Sequence, residues 1–376
     1  MKKLKVVHIL HSVGGVDVSL RLIVENINSE NVESIIIHGI GDTKKPFKNN
    51  QGKQVKEYML PIQREISPLK DLIAIWKTSR LLRKEKPDVV HAHSAKGGII
   101  ARAASIFYKT KVLHTPQAYS YLSEPKGFKR TLFLGIEKFF KRINSVLLAS
   151  SNSERNRGVK EVKYAPEKAL LWNNCIVPIE EMDFQEPEIS LPENYICTVG
   201  RPSFQKNIEM MIEVLHELKK QEPEIHLVLM GVGEYSPNKQ NVERMIEEFG
   251  LEEQVTMIPW IERNKIFSIV KRAQLYISTA RYEGLPYSII EALSLGKACV
   301  VTDCDGNRDL IVDGINGYVI ADNSVEMMAN RIFALLKDDD LRNKFEQNAQ
   351  KRFEEHFNIR KNIHALEEIY FKLSKR

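Results

Sequence analysis

Several features that would point to other classes of protein are missing from this sequence. Its four cysteines (Cys175, Cys197, Cys299 and Cys304) include no Cys-x-x-Cys pair, so we expect reduced thiols and a cytoplasmic protein. No apolar segment approaches the roughly 20 residues that a transmembrane helix needs. The N-terminus has no long apolar core followed by a small-residue cleavage site, and we interpret it as a first strand instead of a signal peptide.

Charge of one predominant sign is also lacking. The chain has 55 Lys and Arg against 49 Asp and Glu, a net charge of +6. A balance this mild permits an anionic substrate or membrane surface without requiring either, and we expect no nucleic-acid partner. The sequence contains no low-complexity tract and no repeat of fixed period. Its composition, 43% hydrophobic and 28% charged, is ordinary for a soluble α/β protein.

Length and pattern together predict two domains. At 376 residues the chain exceeds the usual size of one hydrophobic core. Strand-like apolar runs alternate with helical patterns in both halves, as in parallel α/β domains. Residues 179–192 are rich in proline and glutamate and have little periodicity, which predicts a linker. We therefore expect an N-terminal domain at 1–178 and a C-terminal domain at 193–355.

One stretch of the second half, residues 282–296, has the pattern of an anion-binding turn. It follows an apolar run at 275–279 that is typical of a buried parallel strand. Pro286 suits the first positions of a helix, whose N-terminal amides attract anions such as phosphate. Glu283 in the loop and Glu291 in the helix are suited to hydrogen-bond hydroxyl groups, as on a sugar and a ribose. The pattern therefore predicts a site for a sugar nucleotide.

Two other segments of the second half fit this prediction. Arg201 and Lys206 bracket a turn between a strand and a helix. A guanidinium fork and an ammonium point charge suit a diphosphate, although taken alone the pair is better explained as two surface cations. Pro259-Trp260-Ile261 follows another strand and offers an apolar ledge for a nucleobase.

The first half carries weaker signals. The glycine loop at 12–16 lets backbone approach a ligand closely, but a tight turn explains it as well. His91 and His93 share one face of a strand; because no third ligand is apparent nearby, we expect no metal and a hydrogen-bonding role for His93 at the strand end. The aromatic loop at 115–121 is either an acceptor wall or simple loop packing.

Residues 126–142 form a basic amphipathic segment, with phenylalanine, leucine and isoleucine set among six Lys or Arg. Such a segment can lie on an anionic membrane surface. Alternatively, its apolar stripe faces the core while its basic side is solvated. We prefer the second interpretation and keep peripheral contact with the inner face of a membrane as a hypothesis.

Taken in order, the motifs of this chain resemble those of family-four glycosyltransferases, and they span nearly its whole length. The first-half motifs are Gly14-Gly15-Val16, the strand at 88–94, and Lys96-Gly97-Gly98. Those of the second half are Gly200-Arg201 with Gln205-Lys206-Asn207, Glu283-Gly284-Leu285-Pro286 with Glu291-Ala292, Gly306-Asn307-Arg308-Asp309, and Asp313-Gly314 with Asn316-Gly317. Within that family the likeness is to bacterial transferases of capsule, O-antigen or exopolysaccharide assembly.

The resemblance implies an α/β protein of the GT-B fold, in which two Rossmann-like domains face each other across a cleft. A final helix at about 356–376 would pack back on the N-terminal domain. The activity would be retaining transfer of a hexosyl or N-acetylhexosaminyl group from a nucleotide sugar, with a UDP-sugar favoured and a GDP-sugar second. The acceptor would be a hydroxyl of a glycan or lipid-linked glycan, and no metal or other cofactor would be required.

The resemblance also assigns roles to residues of the second half. Arg201 and Lys206 would hold the diphosphate of the donor and stabilise the leaving group, while Glu283 would face the transferred sugar. Glu291 would bond the ribose hydroxyls. The backbone amides of four residues would receive phosphate: Tyr287, Ser288, Ile289 and Ile290. Pro259-Trp260-Ile261 would seat the base.

In the first half, the resemblance implies that Gly15 lets its loop close on the donor. The acceptor would be bound by His93, Lys96, Gln117 and Tyr119. Gln117 departs from the family pattern, which commonly has a histidine after the Thr-Pro pair to bond the donor sugar. Glutamine keeps a hydrogen-bond donor but does not titrate near neutral pH. Because of Gln117, a catalytically weak nucleotide-binding homologue stays open as an alternative. A second alternative is a non-hydrolysing UDP-sugar epimerase of similar fold.

Overall fold

The computed structural model describes residues 3–43, 45–63, 65, 67–233 and 236–375. The chain divides into two compact units: one runs up to Cys175 and resumes at Ile359, and the other runs from Ile176 to Asn358. Each unit is built on one parallel sheet with helical connections. This confirms the predicted α/β class with two Rossmann-like domains.

The strands alternate with helices throughout both units, as the sequence pattern predicted. In the first unit the strands are β1 (Leu4–Ile9), β2 (Val32–Gly39), β3 (Lys56–Leu60), β4 (Val89–His93), β5 (Val112–Thr115), β6 (Ser145–Ala149) and β7 (Ala169–Leu171). In the second unit they are β8 (Ile196–Val199), β9 (Leu227–Met230), β10 (Val255–Ile258), β11 (Leu275–Ser278), β12 (Cys299–Thr302) and β13 (Gly317–Ile320). The sheet orders are β3-β2-β1-β4-β5-β6-β7 and β10-β9-β8-β11-β12-β13.

The α-helices connect these strands and close both units. Those of the first unit are α1 (Gly15–Asn26), α2 (Pro68–Glu85), α3 (Ser94–Ala104), α4 (Phe128–Phe140), α5 (Asn152–Arg157) and, from the end of the chain, α13 (Ile359–Ser374). Those of the second unit are α6 (Ile208–Lys219), α7 (Lys239–Glu248), α8 (Arg263–Arg272), α9 (Tyr287–Ser294), α10 (Asn307–Leu310), α11 (Val325–Lys337) and α12 (Asp339–His356).

Both cores are made by apolar runs that are buried on both faces, as expected for parallel strands. In the first unit, Val7, Ile35 and Val90 belong to one buried cluster with residues of α2 and α3. In the second unit, strand residues such as Leu227 and Leu275 pack with α6 and α11. All four cysteines lie within the described residues, are buried and form no disulfide bond.

The final helix, α13, belongs to the first unit. It packs against α1 and against strands β1 and β4. The Tyr370 hydroxyl lies 2.7 Å from Nδ1 of His91 on β4, and the Asn28 amide donates to the Glu367 carboxylate at 2.7 Å. The chain thus returns, after completing the second unit, to cover a sheet formed by its first half.

The proline- and glutamate-rich segment at 179–192 is part of the second unit in this structure. It packs along α8: the Gln185 amide donates to the Asn264 carbonyl at 3.4 Å, and Glu186 forms a 3.1 Å ion pair with Arg272. The unit therefore begins at Ile176 and not after a free linker.

Helix α4 differs from the arrangement we preferred for residues 126–142. Its buried residue is Glu137, which pairs with Arg102 of α3 at 3.0 Å. Phe128 and Phe139 are 82% and 59% exposed. The apolar stripe is therefore divided. Its exposed members face solvent, whereas Phe133, Ile136 and Phe140 are half-buried, so the preference for a core-facing stripe was wrong for the exposed members only. Within the described ranges, no helix is both long and apolar enough to cross a membrane.

Candidate functional site

The strand order of the second unit reverses between β8 and β11, which lie side by side. The connection through α6 leads from β8 to β9 on one side, and the connection through α9 leads from β11 to β12 on the other. The loops that follow these strands therefore diverge and leave a crevice at the carboxyl ends of the strands, where open α/β sheets bind ligands. We call residues 200–207 the β8 loop and residues 279–286 the β11 loop.

An ion pair joins these two loops. The Lys206 ammonium lies 2.7 Å from Oε1 of Glu283, whose side chain is 9% exposed. The other carboxylate oxygen accepts a 3.1 Å hydrogen bond from the Gln205 amide, which also lies 3.3 Å from the Tyr282 carbonyl. Both oxygens of Glu283 are thus engaged, and two of the predicted site residues come together in direct contact.

Backbone contacts fix the position of Lys206. Asn207 ends the β8 loop in the left-handed region (φ 51°), which asparagine tolerates better than most residues. The Thr279 hydroxyl lies 3.1 Å and 2.9 Å from the carbonyls of Lys206 and Asn207. The Arg281 amide donates to the Gln205 carbonyl at 2.8 Å. The two loops therefore hold each other in place independently of the Lys206 side chain.

Arg201 is the second residue of the β8 loop and is half-buried. The Gly200 amide before it donates to the Met230 carbonyl at 2.9 Å, which extends the sheet to the edge of the loop. A Cβ at Gly200 would lie 3.2 Å from the Lys206 side chain. The absence of a side chain at Gly200 therefore leaves room for the aliphatic part of the Lys206 side chain to cross the loop. Both cations that were predicted to bind phosphate, Arg201 and Lys206, lie on this short loop.

Glu291 is held by a residue that the sequence analysis missed. Nε of Arg263, on α8, donates to Oε1 of Glu291 at 2.8 Å, and its Nη2 donates to the same oxygen. Both of these bonds go to the same carboxylate oxygen, Oε1. The guanidinium thus orients the carboxylate and leaves one oxygen for another donor. No local motif links the two residues, because they lie on different helices.

The N-terminus of α9 stands between these acids. Pro286 caps the helix without a side-chain hydrogen bond, and the amides of Ile289 and Ile290 both reach the Pro286 carbonyl at 3.2 Å. Two of the four amides predicted to receive phosphate therefore have an intramolecular acceptor. Ser288, at the second helical position, carries an amide of that set for which the helix supplies no acceptor.

Gly306 brings a third loop against the β11 loop. It has a φ of 78°, and a Cβ there would lie 2.7 Å from the Gly284 carbonyl and 3.1 Å from the Glu283 Cβ. Only glycine fits both the conformation and the spacing. The loop after β12 therefore supports the backbone that carries Glu283.

The predicted base ledge is an exposed aromatic surface. Trp260, just after β10, is 66% exposed, and Pro259 beside it is exposed as well. Strand β10 is separated from β8 by β9 alone, which places the ledge on the order of 10 Å from the β8 loop at about 4.8 Å per strand. That separation suits a base and a diphosphate of one nucleotide.

In the first unit, His93 lies in a buried group of histidines. It is 0% exposed, and its Nε2 lies 3.1 Å from Nδ1 of His8 on β1. His91 is bonded through both nitrogens, to Tyr370 at 2.7 Å and to Thr115 at 2.9 Å. The expectation that no third imidazole stands near His91 and His93 was wrong, because β1 pairs with β4 and supplies His8. Full burial also prevents His93 from touching an acceptor in this conformation.

Two other predicted acceptor residues are engaged within the fold. The Lys96 ammonium lies 2.9 Å from both carboxylate oxygens of Asp71 and 2.8 Å from the Glu65 carbonyl. The Tyr119 ring is 1% exposed and stacks on Tyr121, with 5.4 Å between ring centroids. The prediction that Tyr119 contacts an acceptor is therefore not supported, because its ring packs in the core.

Gln117 and Ala118 form a strained turn after β5, with φ of 52° and 74°. Buried Glu154 holds this turn by accepting from the Ala118 amide at 2.8 Å and from the Ser150 amide at 2.7 Å. Nε2 of Gln117 is buried and has no hydrogen-bond partner among the described residues. An over-determined backbone of this kind is typical of functional positions.

Gly15 is exposed at the first position of α1, after Gly14 with φ of 63°. The strand order of the first unit reverses between β1 and β4, so this loop borders the crevice of that sheet. A Cβ at Gly97, in the first turn of α3, would lie 2.5 Å from the Ile9 carbonyl. Glycine is thus needed where α3 meets β1, close to this crevice.

Comparison with known protein families matches both units. Residues 13–178 match the family described as "Glycosyltransferase Family 4", and residues 179–352 match the family described as "Glycosyl transferases group 1". The two matches meet between residues 178 and 179, close to the division of the chain at Ile176.

Curated relatives are similar over most of the chain. One is the UDP-Gal:alpha-D-GlcNAc-diphosphoundecaprenol alpha-1,3-galactosyltransferase of Escherichia coli, 27% identical over 86% of each chain. Another is the capsular polysaccharide biosynthesis glycosyltransferase CapM of Staphylococcus aureus, 23% identical over 86% of this chain and 88% of the relative.

Solved structures show the same fold. A sucrose-phosphate synthase from Thermosynechococcus elongatus has a TM-score of 0.84 at 16% identity and covers 99% of each chain. HepE from Anabaena, solved with UDP and glucose, has a TM-score of 0.79 at 16% identity over 98% of this chain and 99% of its own. These likenesses confirm the predicted GT-B fold.

Proposed function

Because the chain belongs to the family-four glycosyltransferases, we propose that it moves a hexosyl or N-acetylhexosaminyl group from a nucleotide sugar to a hydroxyl of a glycan or lipid-linked glycan. The transfer would retain the anomeric configuration and serve surface polysaccharide synthesis. The observation that carries the proposal is the cluster at the reversal of strand order in the second unit. There Lys206, Glu283 and the N-terminus of α9 converge.

The β8 loop would bind the donor diphosphate. The Lys206 ammonium has three donors and uses one on Glu283 at 2.7 Å, so two remain for phosphate oxygens. Arg201 adds a second positive charge on the same loop. The N-terminus of α9 would contribute its dipole and the Ser288 amide to the same anion. These groups act most strongly when the bond to the leaving phosphate breaks, since negative charge then develops on its oxygen.

The transfer itself breaks the bond between C1 of the sugar and the β-phosphate oxygen and forms a bond from C1 to the acceptor oxygen. The proton of the acceptor hydroxyl passes to the departing phosphate oxygen. The second product is therefore the nucleoside diphosphate. Glu283 is bonded through both oxygens, to Lys206 and Gln205, so we assign it to orienting the donor sugar and not to removing the acceptor proton.

The rest of the nucleotide would extend toward the edge of the second sheet. Oε2 of Glu291 would accept from ribose hydroxyls, and Trp260 would pack on the base. A UDP-sugar is our preferred donor, with a GDP-sugar second. This preference is supported by the E. coli relative, whose name specifies UDP-Gal as donor and a GlcNAc-diphospholipid as acceptor.

A ribose role for Glu291 predicts unequal effects of two substitutions. Glu291→Gln removes the charge that accepts from the ribose and should lower UDP affinity about 10- to 100-fold, as expected for hydrogen bonds to a charged group. Arg263→Ala removes only the group that orients Glu291 and should weaken UDP binding by less, roughly fivefold. Isothermal calorimetry with UDP measures both.

Arg272→Ala is the matched control, because Arg272 ends the same helix and pairs with Glu186 at 3.1 Å instead of with the site. It should leave UDP affinity unchanged. Equal UDP binding by the wild type and the Glu291→Gln variant would remove the ribose assignment.

We also expect transfer to proceed without a divalent metal, since Arg201, Lys206 and the dipole of α9 can supply the positive charge that a metal provides in other transferases. Initial rates measured after dialysis against a chelator should equal those measured with added Mg²⁺ or Mn²⁺. A rate that falls by more than about tenfold with the chelator and recovers with metal would contradict this expectation.

The central experiment offers UDP-galactose, UDP-glucose, UDP-N-acetylglucosamine and GDP-mannose with a lipid-linked N-acetylglucosaminyl diphosphate. The expected result is release of the nucleoside diphosphate and a product whose anomeric configuration, measured by NMR, equals that of the donor. An isomerised donor without transfer would indicate an epimerase. Binding of UDP without turnover, with turnover gained by Gln117→His, would indicate a nucleotide-binding homologue.

A further inference from the structure

Helix α2 exposes an apolar stripe. Leu69, Leu72, Ile73 and Trp76 are 77%, 64%, 46% and 55% exposed, respectively. Their spacing of three, four and seven residues places them along one side of the helix. A helix in a soluble domain usually turns such a stripe toward the core, so a contiguous exposed stripe marks an interaction surface.

Helix α4 exposes a second stripe. Phe128, Leu132 and Phe139 are 82%, 48% and 59% exposed. The helix is anchored instead by Glu137, whose buried carboxylate pairs with Arg102 at 3.0 Å. A charged contact thus helps to fix the helix to the unit together with half-buried Phe133 and Phe140, while the three side chains of the stripe point to solvent.

The two stripes belong to one layer of helices. In the sheet order, the connections β3 to β4, β4 to β5 and β5 to β6 all advance in the same direction. Right-handed crossovers that advance in one direction lie on the same face of a sheet, so α2, α3 and α4 form one layer. Helix α3 packs against both of the others. At about 8–10 Å between neighbouring helices, the two stripes are separated by on the order of 20 Å.

The exposed charges on this layer are positive. Helix α2 exposes five cations: Lys70, Lys77, Arg80, Arg83 and Lys84. The acids of these two helices are all engaged by cations of the same unit: Asp71 with Lys96, Glu85 with Lys56, and Glu137 with Arg102. Around α4, Lys126, Lys129 and Arg142 are exposed as well.

We propose that this face, formed by the exposed stripes of α2 and α4 and defined here as the docking face, binds the surface of an anionic phospholipid bilayer. Two apolar stripes about 20 Å apart suit a broad, flat partner better than a small molecule. Uncompensated cations around apolar side chains are the composition of interfacial membrane contacts, and Trp76 has the amphipathic ring that favours the headgroup level. Docking at this face does not depend on the site proposed for glycosyl transfer.

The orientation of the docking face also bears on the acceptor. Helices α2 and α4 begin at the carboxyl edge of their sheet, because each follows a strand. Leu69, Leu72, Phe128 and Leu132 lie in the first halves of these helices and so near that edge. Docking would bring the carboxyl edge of the first sheet close to the headgroups. If the proposed transfer holds, the acceptor would accordingly be a lipid-linked glycan.

Vesicle sedimentation with the full chain tests the docking face. The wild type should sediment with vesicles that contain phosphatidylglycerol, and at least about tenfold less with vesicles of phosphatidylcholine alone. Binding should weaken strongly at about 0.5 M salt. Leu72→Ser with Trp76→Ser, and separately Phe128→Ser with Leu132→Ser, should each weaken binding about tenfold or more. Lys77→Gln should weaken it roughly fivefold.

The matched control is Ile315→Ser with Met327→Ser, which removes two residues that are 51% and 46% exposed in the second unit. This variant should bind vesicles like the wild type. Absence of sedimentation with anionic vesicles at low salt, or binding by both docking-face variants that equals binding by the wild type, would overturn the proposal. So would vesicle-independent dimerisation that is lost in these variants, because the face would then bind a second copy of the chain.

The same variants separate this proposal from the proposed activity. Transfer to a water-soluble acceptor should be unchanged in the docking-face variants, while transfer to a vesicle-borne acceptor should fall with vesicle binding. Vesicle binding without transfer to either acceptor would leave docking in place and reject the activity.

Discussion

Replacing Lys206 with alanine is expected to lower kcat/KM for transfer about 100- to 1,000-fold, the usual cost of removing one group that stabilises charge in a transition state. The substitution takes away the cation next to the departing phosphate. It also leaves Glu283, which is 9% exposed and paired with Lys206 at 2.7 Å, beside the donor diphosphate without its counter-charge. The attraction between the Lys206 ammonium and the donor diphosphate is thus lost, and the repulsion between the Glu283 carboxylate and that diphosphate remains. Initial rates and calorimetric affinity for UDP measure the two parts of this effect.

Lys239→Ala is the matched control for this substitution. Lys239 is also in the second unit and also pairs with a glutamate, Glu243, but as a half-exposed i,i+4 pair on α7. Such pairs contribute about 0–1 kcal/mol, so neither the rate nor the UDP affinity should change. Because the backbone holds the β8 loop through Thr279, the Lys206→Ala variant should keep its fold. A rate within about threefold of wild type would reject the assignment.

Acidification is expected to destabilise the first unit steeply below about pH 6.5, the ordinary pKa of histidine. Burial lowers the pKa of the His8 imidazole to about 3, and it lowers the pKa values of His91, His93 and His114 well below their usual range. The folded protein keeps these four rings neutral, whereas the unfolded chain binds protons as the pH falls. Stability is therefore fully present above about pH 6.5 and declines below it.

The pH dependence of the free energy of unfolding is set by the number of buried neutral imidazoles. Each imidazole that stays neutral in the fold costs about 1.4 kcal/mol per pH unit below its unfolded pKa, so four cost on the order of 5 kcal/mol per unit. Urea unfolding of the full chain at several pH values measures this slope. His8→Asn should reduce it by roughly a quarter. His364→Gln should not, because that side chain is 74% exposed. A free energy of unfolding that is flat from pH 7 to 5 would contradict the prediction.

The sequence was sufficient for the fold class and for most strands, because both depend on local patterns. The predicted strand and helix around residues 282–296 appear as β11 and α9, and the helix ends at Ser294 before Gly296 with φ of 68°. Strands β7 and β13 were not predicted. They are three and four residues long, too short for a periodic signal to separate them from loops.

The candidate site was less predictable where it depends on partners from distant segments. Arg263 orients Glu291 from another helix, and His8 reaches His93 from another strand, so no local spacing could reveal either contact. The burial of side chains in loops was the other feature that the sequence did not predict. Tyr119 follows the end of a strand, where a residue that binds the acceptor is expected, but its ring is buried. The sequence pattern of a loop does not specify whether a side chain points inward or outward.

The late return of α13 has a consequence for biogenesis. Tyr370 bonds to His91 across 279 residues, and the helix that carries it covers β1 and β4. At about 5–20 residues per second, a ribosome needs roughly 15 to 60 s to synthesise the intervening chain. During that time the part of this face over β1 and β4, including the buried group of histidines, lacks α13 and has only α1 beside it. We therefore expect nascent chains to bind chaperones at this face, and a fragment that ends at Cys175 to aggregate unless α13 is supplied as a separate peptide.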